Sequence, residues 1–587
     1  MLVLDCEVYS NYFLAAFLNE DGLITNLEMH DGCDLNKERL SALMSQTTVT
    51  FNGNGYDLYM VAAALKGWTT QKLKSLSDEI ILSKMSHWQV AKARDLNYPR
   101  EWDSVDIINV LPGQASLKIY GARIGMPKLQ ELPIPHDASI DAAGRDVLRR
   151  YCANDLRVTE ALAKALAPQL ELRRVMGEQY GLDLRSKGDA QIAEAVLKTE
   201  IEKIGKGLRP IEMDEGSTVR YRNPGIVEFT DPEMRPTCIK ILNHNFELAG
   251  NGSVKMPPWL KDTKIQIGQG LYQMGIGGLH STEKSQTIIP TEHEVLCEVD
   301  VVSYYPNIIL QQRSEPSNMT GRFLPVYQSV VDTRIAAKRS GDKTTADSLK
   351  IVVNASFGKL GSKYSVLYAP DLLIQTTITG QLCLLMLIER LEAVGVRVVS
   401  ANTDGVVALF NKALEGDVEQ VVFDWMLDTS FELERTDYRS LHARDVNNYI
   451  AVKPDGSTKA KGVFADPGLS KNPVFVIVND AIASQLSGGP NVEEVIAACE
   501  DLHKFVMVRR VNAGAVWRGE ALGKSVRFYY SNQVSADEQI EWASNGNKVS
   551  LSDGARPAMD MPDVFPDDVD KGRYVTMAYN AMKGMGL

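Results

Sequence analysis

A short turn sequence near the middle of this chain constrains its fold more than any other feature. Two runs of β-branched and apolar residues, Val396–Ser400 and Val406–Phe410, flank the tetrapeptide Asn-Thr-Asp-Gly at 402–405. Asn and Gly tolerate the backbone conformations of tight hairpin turns, and the flanking runs have the composition of strands. The pattern therefore predicts a β-hairpin. An acid in such a turn is common for turn reasons alone, so Asp404 by itself indicates no chemistry.

A second acid ends an apolar run earlier in the chain. The sequence from Val299 to Pro306 reads VDVVSYYP, which predicts a buried strand that delivers Asp300 and is followed by a hydroxyl and two phenols. Taken alone, this stretch fits any buried strand that meets a turn. Its functional interpretation depends on a second carboxylate, on cations for phosphates, and on a reason for an aromatic side chain beside the acid.

Two predicted helices between these acids carry cations. The first helix, Phe323–Arg339, presents Arg334 and Lys338 one turn apart. The second helix, Lys343–Phe357, presents Lys350. A Ser-Gly-Asp break joins the helices, so an antiparallel helical hairpin would bring the cations together, where they suit a triphosphate. An ordinary amphipathic helix pair with solvated lysines is the alternative.

Acidic patterns also mark the N-terminal segment. Asp5 and Glu7 alternate along an apolar strand, which places both carboxylates on one face. Adjacent carboxylates repel each other unless a cation neutralises them, so a metal site is the natural hypothesis, although an exposed edge strand is the better interpretation of a bare DxE. Asp57 follows an Asn/Gly turn and opens an apolar helix, where an ordinary N-cap is a strong alternative. Tyr151 and Asp155, four residues apart on a predicted helix, share one face.

None of these patterns is specific alone, but DxE, NxxxYD and YxxxD occur in this order within one domain-sized segment.

Two further stretches suggest phosphate contacts. Tyr272 precedes a glycine-rich segment with Gly277 and Gly278, where the backbone can approach a ligand, a flexible turn being the alternative. From Lys504 to Arg527 there are six Lys or Arg residues against one acid, a solvated helix face being the alternative. The net charge of −12 argues mildly against a nucleic-acid binder, but such basic clusters are local.

Length and composition limit the remaining possibilities. At 587 residues the chain should form several domains. Its seven cysteines are scattered without a CxxC pair, so neither a zinc site nor a disulfide framework is predicted. There is no signal-peptide pattern and no uninterrupted apolar run of membrane-spanning length, so a cytosolic protein is expected.

In order and spacing these motifs resemble two enzyme families. The N-terminal acids resemble the DnaQ-like 3′–5′ exonucleases of the RNase H fold. Downstream, DVVSYYP at 300–306 resembles the DxxSLYP motif of the family B DNA polymerases, KIVVNASFG at 350–358 resembles their KxxxNSxYG motif, and SANTDG at 400–405 resembles their YGDTDS motif. The similarity covers nearly the whole chain, and the order of all the motifs argues against chance.

The resemblance implies roles for individual residues. Two Mg²⁺ or Mn²⁺ ions would be held at each active site, by Asp300 and Asp404 at the polymerase site and by Asp5, Glu7, Asp57 and Asp155 at the exonuclease site, where Tyr151 would orient the attacking water. The residues implied in dNTP binding are Arg334, Lys338, Lys350, Asn354, Tyr305 and Phe357. The residues implied in DNA binding are Tyr272, Gly277, Gly278, Tyr449, Lys459, Lys461, Arg509, Arg510, Arg518, Lys524 and Arg527.

Several positions depart from the family motifs. Asn402 replaces the first acid of YGDTDS and Gly405 replaces its serine, while Tyr304 replaces the leucine of DxxSLYP. Because the second acid of YGDTDS pairs with the first acid of DxxSLYP in the family, catalysis remains the prediction. Phe357 lacks the hydroxyl of the usual tyrosine, a loss of about 1 kcal/mol if one neutral hydrogen bond disappears. Tyr305 aligns with the aromatic residue under the sugar, whose ring collides with a 2′-hydroxyl and so rejects ribonucleotides.

The implied fold class is mixed α/β and α+β and multidomain, with an RNase H-like exonuclease domain and a right-hand polymerase made of palm, short helical-hairpin fingers and thumb. The implied boundaries are 1–170 for the exonuclease domain, 171–289 for a connecting region with a template-binding glycine-rich linker, 290–320 and 361–465 for the palm, 321–360 for the fingers and 466–587 for the thumb.

The sequence therefore predicts a compact, phage-type replicative DNA polymerase with proofreading, which uses a primed DNA template and dNTPs. Because the intervals from Asp300 to Lys350 and from Asn354 to Asp404 are short, they leave no space for the insertions of protein-primed phage enzymes, and an ordinary nucleic-acid primer is expected. A monomer in the cytoplasm of the bacterial host, without membrane contact, is expected to work beside a phage helicase, primase or single-strand-binding protein. A non-polymerising nuclease, in which Asn402 marks decay of the palm site, is the main rival, and a DNA-binding scaffold without chemistry is the third class.

Overall fold

The computed structural model describes all 587 residues, which divide into two compact units. The first unit consists of Met1–Gly188, Pro467–Ile477 and Ala498–Tyr574, and the second of Asp189–Asp466, Val478–Ala497 and Val575–Leu587. The C-terminal residues 498–574 thus belong to the same unit as the N-terminal residues. The mixed α/β, multidomain class predicted from the sequence is confirmed.

The helices and strands follow in three stretches of the chain. Residues 1–188 form β1 (Leu2–Tyr9), β2 (Tyr12–Leu18), β3 (Ile24–His30), α1 (Lys37–Met44), β4 (Thr48–Thr50), α2 (Asp57–Leu65), α3 (Thr70–Leu82), α4 (His87–Ala93), β5 (Ser104–Asp106), α5 (Leu117–Arg123), α6 (Ala142–Ala165) and α7 (Ala167–Tyr180). Residues 189–466 form α8 (Asp189–Ile204), β6 (Thr218–Val219), α9 (Met234–Leu242), β7 (Phe246–Glu247), α10 (Pro258–Asp262), β8 (Ile265–Ile267), β9 (Gly270–Gln273), β10 (His280–Ser281), β11 (Gln286–Ile288), β12 (Glu294–Val301), α11 (Tyr304–Gln311), α12 (Phe323–Ser340), α13 (Lys343–Lys359), α14 (Pro370–Ala393), β13 (Arg397–Asn402), β14 (Gly405–Asn411), α15 (Glu415–Thr429), β15 (Leu433–Tyr438), β16 (Ser440–Asp445), β17 (Asn448–Val452) and β18 (Thr458–Lys461). Residues 467–587 form α16 (Val476–Ser487), α17 (Val492–Ala498), α18 (Leu502–Phe505), β19 (Met507–Trp517), β20 (Glu520–Tyr530), β21 (Glu541–Trp542), β22 (Ala555–Pro557) and α19 (Lys571–Lys583).

A five-stranded sheet in the order β3-β2-β1-β4-β5 lies at the centre of the first unit. Strand β1 pairs antiparallel with β2 and parallel with β4. Every residue of β2 is buried, because α1 to α4 cover one face of the sheet and α6 covers the other. Along β1, the half-buried Asp5 and Glu7 alternate with buried residues. The predicted strand is confirmed, and it is not an exposed edge strand.

A long hairpin of β19 and β20 belongs to the same unit and packs on α5. The basic run therefore lies mostly on strands and not on a helix face. Arg527 on β20 is fully buried, and its guanidinium donates to the carbonyl oxygens of Met126, Pro127 and Ala558 at 2.7 to 2.8 Å. The predicted role of Arg527 in DNA binding is wrong, because its hydrogen bonds tie the hairpin to the segment after α5.

The second unit is built on a seven-stranded antiparallel sheet in the order β15-β12-β14-β13-β10-β9-β8. Helix α14 packs against this sheet as the main core helix. By length and composition α14 is apolar enough to cross a membrane, but 83% of its most apolar window is buried inside the protein. Helices that are apolar all round are expected in such buried positions.

The two helices predicted between the acids are confirmed as α12 and α13, which pack against each other. Gly341 ends α12 in the left-handed conformation, with φ of 77°. The side chain of Asp342 then caps α13 by accepting the N–H of Thr345 at 3.1 Å. The predicted Ser-Gly-Asp break thus consists of a glycine that ends α12 and an aspartate that caps α13.

Candidate active sites

The two predicted acids of the second unit meet at the ends of adjacent strands. Strands β12 and β14 pair so that Asp300 lies opposite Gly405, and the N–H of Val301 donates to the carbonyl oxygen of Asp404 at 2.7 Å. The predicted hairpin is confirmed by β13 and β14, and Thr403 in its turn has a φ of 55°. Asp300 and Asp404 therefore share one end of the sheet.

The surroundings of these carboxylates favour a bound cation. Burial raises the pKa of Asp300 to about 6, and the negative charge of Glu298 adds to this rise. Burial also raises the pKa of Asp404. A raised pKa shows that the charged form lacks compensating solvation, which a cation would supply. Carboxylate oxygens are the donors that Mg²⁺ and Mn²⁺ prefer, so the residues fit the ions implied by the resemblance.

Gly405, one of the departures from the family motifs, makes room for the first acid. A Cβ atom at this position would lie 2.0 Å from Oδ1 of Asp300 and 3.1 Å from the carbonyl oxygen of Val299. No real Cβ atom approaches an oxygen so closely. The serine of the family motif would therefore displace the Asp300 carboxylate of this chain from its present position.

For the polymerase activity that the motif resemblance implies, we expect Gly405→Ala to lower the rate of primer extension by about tenfold or more, because supporting contacts of metal ligands typically contribute that much. The measurement is single-turnover extension at saturating dNTP. Gly416→Ala is the matched control, since a Cβ atom there meets nothing within 4 Å. An extension rate equal to the unmodified protein would show that Asp300 tolerates the displacement.

A cavity of about 280 Å³ opens beside Asp404. The ring of Tyr305 stacks on Phe357 with centroids 4.3 Å apart, and its hydroxyl donates to the carbonyl oxygen of Gly277 at 3.2 Å. Arg334 donates through Nη1 to Oγ of Ser303 at 2.8 Å. The walls of the cavity include Tyr305, Arg334, Asn354, Phe357, Thr403 and Asp404. Four of the predicted dNTP contacts are thus brought together beside an acid.

The other two predicted dNTP contacts do not line this cavity. Lys338 forms an ion pair with Glu434 at 3.3 Å, and Lys350 is exposed on α13. The cation within the cavity is the guanidinium of Arg334. The spacing along the two helices predicted that Arg334, Lys338 and Lys350 form one cationic cluster. It did not reveal that only Arg334 of the three would line the cavity beside Asp404.

The glycine-rich segment lies against the turn that carries Asp404. A Cβ atom at Gly278 would lie 2.6 Å from Oγ1 of Thr403, so only glycine fits this crossing, whereas the space around Gly277 is open. The N–H of Thr403 donates to the carbonyl oxygen of Leu279 at 2.8 Å. Tyr272 is fully buried in the core of this unit, so its predicted contact with DNA is wrong.

Strands β17 and β18 bring three predicted DNA contacts near the acids. Tyr449 and Lys461 are register partners, and the Lys461 ammonium lies 5.7 Å from the centre of the Tyr449 ring. Lys459 forms an ion pair with Glu298 and lies 3.8 Å from Oδ2 of Asp300. The ammonium of Lys459 is therefore engaged with acids and is not free for a primer phosphate. No sequence pattern had indicated Glu298, which shares the face of Asp300 on β12.

The predicted acids of the first unit gather at β1. Carboxylate oxygens of Asp5 and Glu7 and Sγ of Cys152 all lie within 4.8 Å of one another. The Cys152 thiol donates to Oδ2 of Asp5 at 3.3 Å. Asp57, at the first position of α2, accepts the backbone N–H of Cys6 at 3.1 Å. Asp57 is thus turned toward β1, unlike an ordinary N-cap.

Crowding in this cluster changes its ionisation. Burial raises the pKa of Asp5 to about 7, and the negative charge of Asp155 adds to this rise. Burial also raises the pKa values of Glu7 and Asp57 well above the usual range. Burial likewise raises the pKa of Asp155, the fourth acid, which lies on α6. Asp5 and Glu7 are close enough to share an ion, and the negative charges of Asp57 and Asp155 act on them. Divalent cations suit such a group of carboxylates, because their charge would offset the repulsion.

Lys118 is a member of this site that the sequence analysis left without a role. Its ammonium pairs with both carboxylate oxygens of Asp155 and lies 4.3 Å from the centre of the Tyr151 ring. Its side chain is only 12% exposed, although it carries a charge. A lysine within the apolar helix α5 is the signal that could have identified it, but the pairing with α6 depends on the fold.

The remaining predicted DNA contacts lie on or near the β19–β20 hairpin. Arg518 forms two hydrogen bonds with Glu538, at 2.7 and 3.0 Å. Arg510 and Lys524 are exposed, and Arg509 is half-buried. Their placement leaves exposed basic side chains on this hairpin, and contact with DNA remains a prediction for them.

Comparisons with known proteins find similarity to DNA polymerases. No family model matches the chain. The chain is 27% identical over 121 residues to DNA polymerase 1 of Sulfolobus acidocaldarius, which covers 20% of this chain and 14% of that protein's length. Among solved structures, the family B DNA polymerase from the hyperthermophilic archaeon Pyrobaculum calidifontis aligns with 100% of this chain and 77% of its own, at 16% identity and a TM-score of 0.42. The predicted resemblance to family B DNA polymerases is confirmed as a resemblance, and the resemblance of the N-terminal acids to DnaQ-like exonucleases stays a prediction.

Proposed function

We propose that this protein is a DNA-directed DNA polymerase of the family B type, which extends a primer on a DNA template with dNTPs. The proposal depends on the positions of two acids and a cavity. Asp300 and Asp404 lie together at a strand end, and Asp404 lines a cavity with the ring of Tyr305 and the guanidinium of Arg334. The acids offer metal ligands, the ring offers a flat surface for a sugar, and the guanidinium offers charge for a phosphate.

The proposed mechanism divides the work between bound ions and the chain. Two Mg²⁺ or Mn²⁺ ions held by Asp300 and Asp404 would supply stabilisation for the attacking and leaving oxygens of an in-line phosphoryl transfer. Arg334, oriented by its hydrogen bond to Ser303, would neutralise a phosphate oxygen of the nucleotide. Asn354, which lines the same cavity, would border the nascent base pair.

We also propose that the first unit removes mismatched 3′ ends with two divalent ions. The mixed five-stranded sheet and the packing of α6 on it are the arrangement expected of an RNase H-like domain. Asp5, Glu7, Asp57 and Asp155 would hold the ions, and the phenol of Tyr151 would orient the attacking water. The buried, mutually repelling carboxylates support this assignment.

The finer assignments belong to the same proposal. They comprise a right-hand arrangement with palm, fingers and thumb, replication of a phage genome in the bacterial cytoplasm, action as a monomer, and cooperation with a phage helicase, primase or single-strand-binding protein. The proposed segments are 1–170 for the exonuclease, 171–289 for the connection, 290–320 and 361–465 for the palm, 321–360 for the fingers and 466–587 for the thumb.

We expect Tyr305→Ala to raise ribonucleotide incorporation relative to dNTP incorporation by about 10- to 200-fold, the range for filling or emptying a small pocket. The ring stacks on Phe357 in the cavity wall, so its removal opens space for a 2′-hydroxyl. The measurement is the ratio of kcat/KM values for dNTP and NTP. Tyr364→Ala is the control, because Tyr364 is 82% exposed. Unchanged discrimination would exclude the steric role.

A single assay tests the proposed function against its rivals. The purified chain is given a labelled, primed template and Mg²⁺, with and without dNTPs. Extension with dNTPs and degradation without them are expected. Degradation without extension would favour the non-polymerising nuclease, and binding without either reaction would favour the scaffold.

A further inference from the structure

We infer that Glu298 and Lys459 form a positioning pair for Asp300, in which Glu298 keeps the Lys459 ammonium near the catalytic carboxylate but prevents it from occupying that carboxylate. The inference rests on the proposed polymerase site. Glu298 lies two residues before Asp300 on β12, so both side chains project from the same face of the strand. The sequence offers no reason for a second acid at this position.

Glu298 is a buried carboxylate with two partners. It is 5% exposed, and its Oε2 accepts hydrogen bonds from the hydroxyl of Tyr438 and from the ammonium of Lys459. A buried carboxylate is unfavourable without a hydrogen-bonded countercharge, so the fold must supply both partners. Tyr438 comes from β15 of the seven-stranded sheet and Lys459 from β18 of a separate four-stranded sheet. The pair therefore joins the two sheets next to Asp300.

The position of the Lys459 ammonium is specific. It lies 3.8 Å from Oδ2 of Asp300, which is within ion-pair range but beyond hydrogen-bond distance. At this distance the ammonium does not donate a hydrogen bond to Asp300, so the carboxylate oxygens of Asp300 remain open to a divalent ion. Lys459 thus has two acidic partners, Glu298 and Asp300. Without Glu298, the ammonium would move onto Asp300 and compete with the metal.

Two simpler roles are possible for the same contacts. An ordinary structural ion pair would affect the stability of the fold and leave metal binding unchanged. A lysine that supports the metal site directly would weaken metal binding whenever it is removed. The positioning role differs from both, because it predicts that loss of Glu298 is harmful only while Lys459 is present.

The test measures Mn²⁺ binding to the full chain by electron paramagnetic resonance of the free ion, without DNA or nucleotide. All proteins carry Asp5→Asn and Asp57→Asn, which weaken binding at the other acid cluster. The binding lost on adding Asp300→Asn defines the site. Glu298→Gln, Lys459→Met and the combination of both are compared with this parent, and thermal unfolding confirms that each is folded. Glu415→Gln is the control, since it removes an ion pair with Arg435 elsewhere in the same unit.

We expect Glu298→Gln to raise the Kd for Mn²⁺ by about tenfold, the usual effect of losing a contact that supports a metal ligand. Lys459→Met alone should not raise the Kd, and the combined variant should return it close to the parent value. Tyr438→Phe, which removes one hydrogen bond to Glu298, should give a smaller increase.

Three outcomes would overturn the inference. Equal Kd values in all variants would indicate a structural ion pair, and an increase with Lys459→Met would indicate direct support of the metal. Absence of any Mn²⁺ binding that depends on Asp300 would refute the proposed metal site itself. Because no DNA or nucleotide is present, a failure of primer extension would leave the Mn²⁺ result intact, so the two failures are distinguishable.

Discussion

Asp404→Asn is expected to lower primer extension by roughly 10³-fold or more, because a neutral amide oxygen stabilises a divalent ion far less than a carboxylate does. The substitution keeps the size of the side chain, and the backbone bond from Val301 to the Asp404 carbonyl does not depend on the charge. The fold of the strand end should therefore persist. The measurement is single-turnover extension, with degradation of single strands measured on the same preparation as a test of folding.

A matched control separates the role of Asp404 from a general effect of lost charge. Asp424→Asn removes an exposed acid from α15 of the same unit and should leave the extension rate unchanged. Asn402→Asp, which restores the family's first acid, should not rescue Asp404→Asn, since the Asn402 amide is directed toward Val446 and Asn447. Normal extension by Asp404→Asn would refute the proposed polymerase site.

Asp57→Asn is expected to lower 3′-end degradation by roughly 10²- to 10³-fold while extension continues. Asp57 is 4% exposed, and an asparagine oxygen can still accept the N–H of Cys6, so the change removes charge with little change in packing. The missing charge weakens the hold of the cluster on divalent ions. Removal of a mismatched 3′ nucleotide, followed in the absence of dNTPs, measures the effect.

The control for this variant is Asp146→Asn, an exposed acid on α6 that pairs with Arg149. It lies on the same helix as Asp155 but outside the carboxylate cluster. Its degradation rate should equal that of the unmodified chain. If Asp57→Asn degrades mismatched ends at a normal rate, the proposed exonuclease site is wrong.

Local patterns predicted the elements that local forces control. The Asn-Thr-Asp-Gly hairpin, the helical pair α12 and α13, and the strand that carries Asp5 and Glu7 all appear in the structure where the sequence indicated them. Each depends on turn chemistry, capping or periodicity over a few residues. The pairing of Asp300 with Asp404 was predictable only through the resemblance of the motifs to a known family.

The contacts that the sequence analysis missed all join distant segments. Lys118 meets Asp155, and Arg527 bonds to the segment after α5. Tyr272 faces the core because of the way β9 pairs in its sheet. No neighbouring residue in the sequence indicates which face of β9 is buried. A basic or aromatic residue has the same local signature whether it faces DNA or the protein interior.

By itself, the sequence indicated which residues can carry the chemistry and which helix, strand or turn holds the candidate metal ligands, because hydrophobic period and turn preference are properties of short segments. Only the tertiary structure decided which charges neutralise one another. Lys459 was predicted to bind DNA, but in the structure it forms ion pairs with Glu298 and Asp300. The reason is physical: a buried carboxylate requires a nearby countercharge, and the packing of two sheets determines which lysine supplies it.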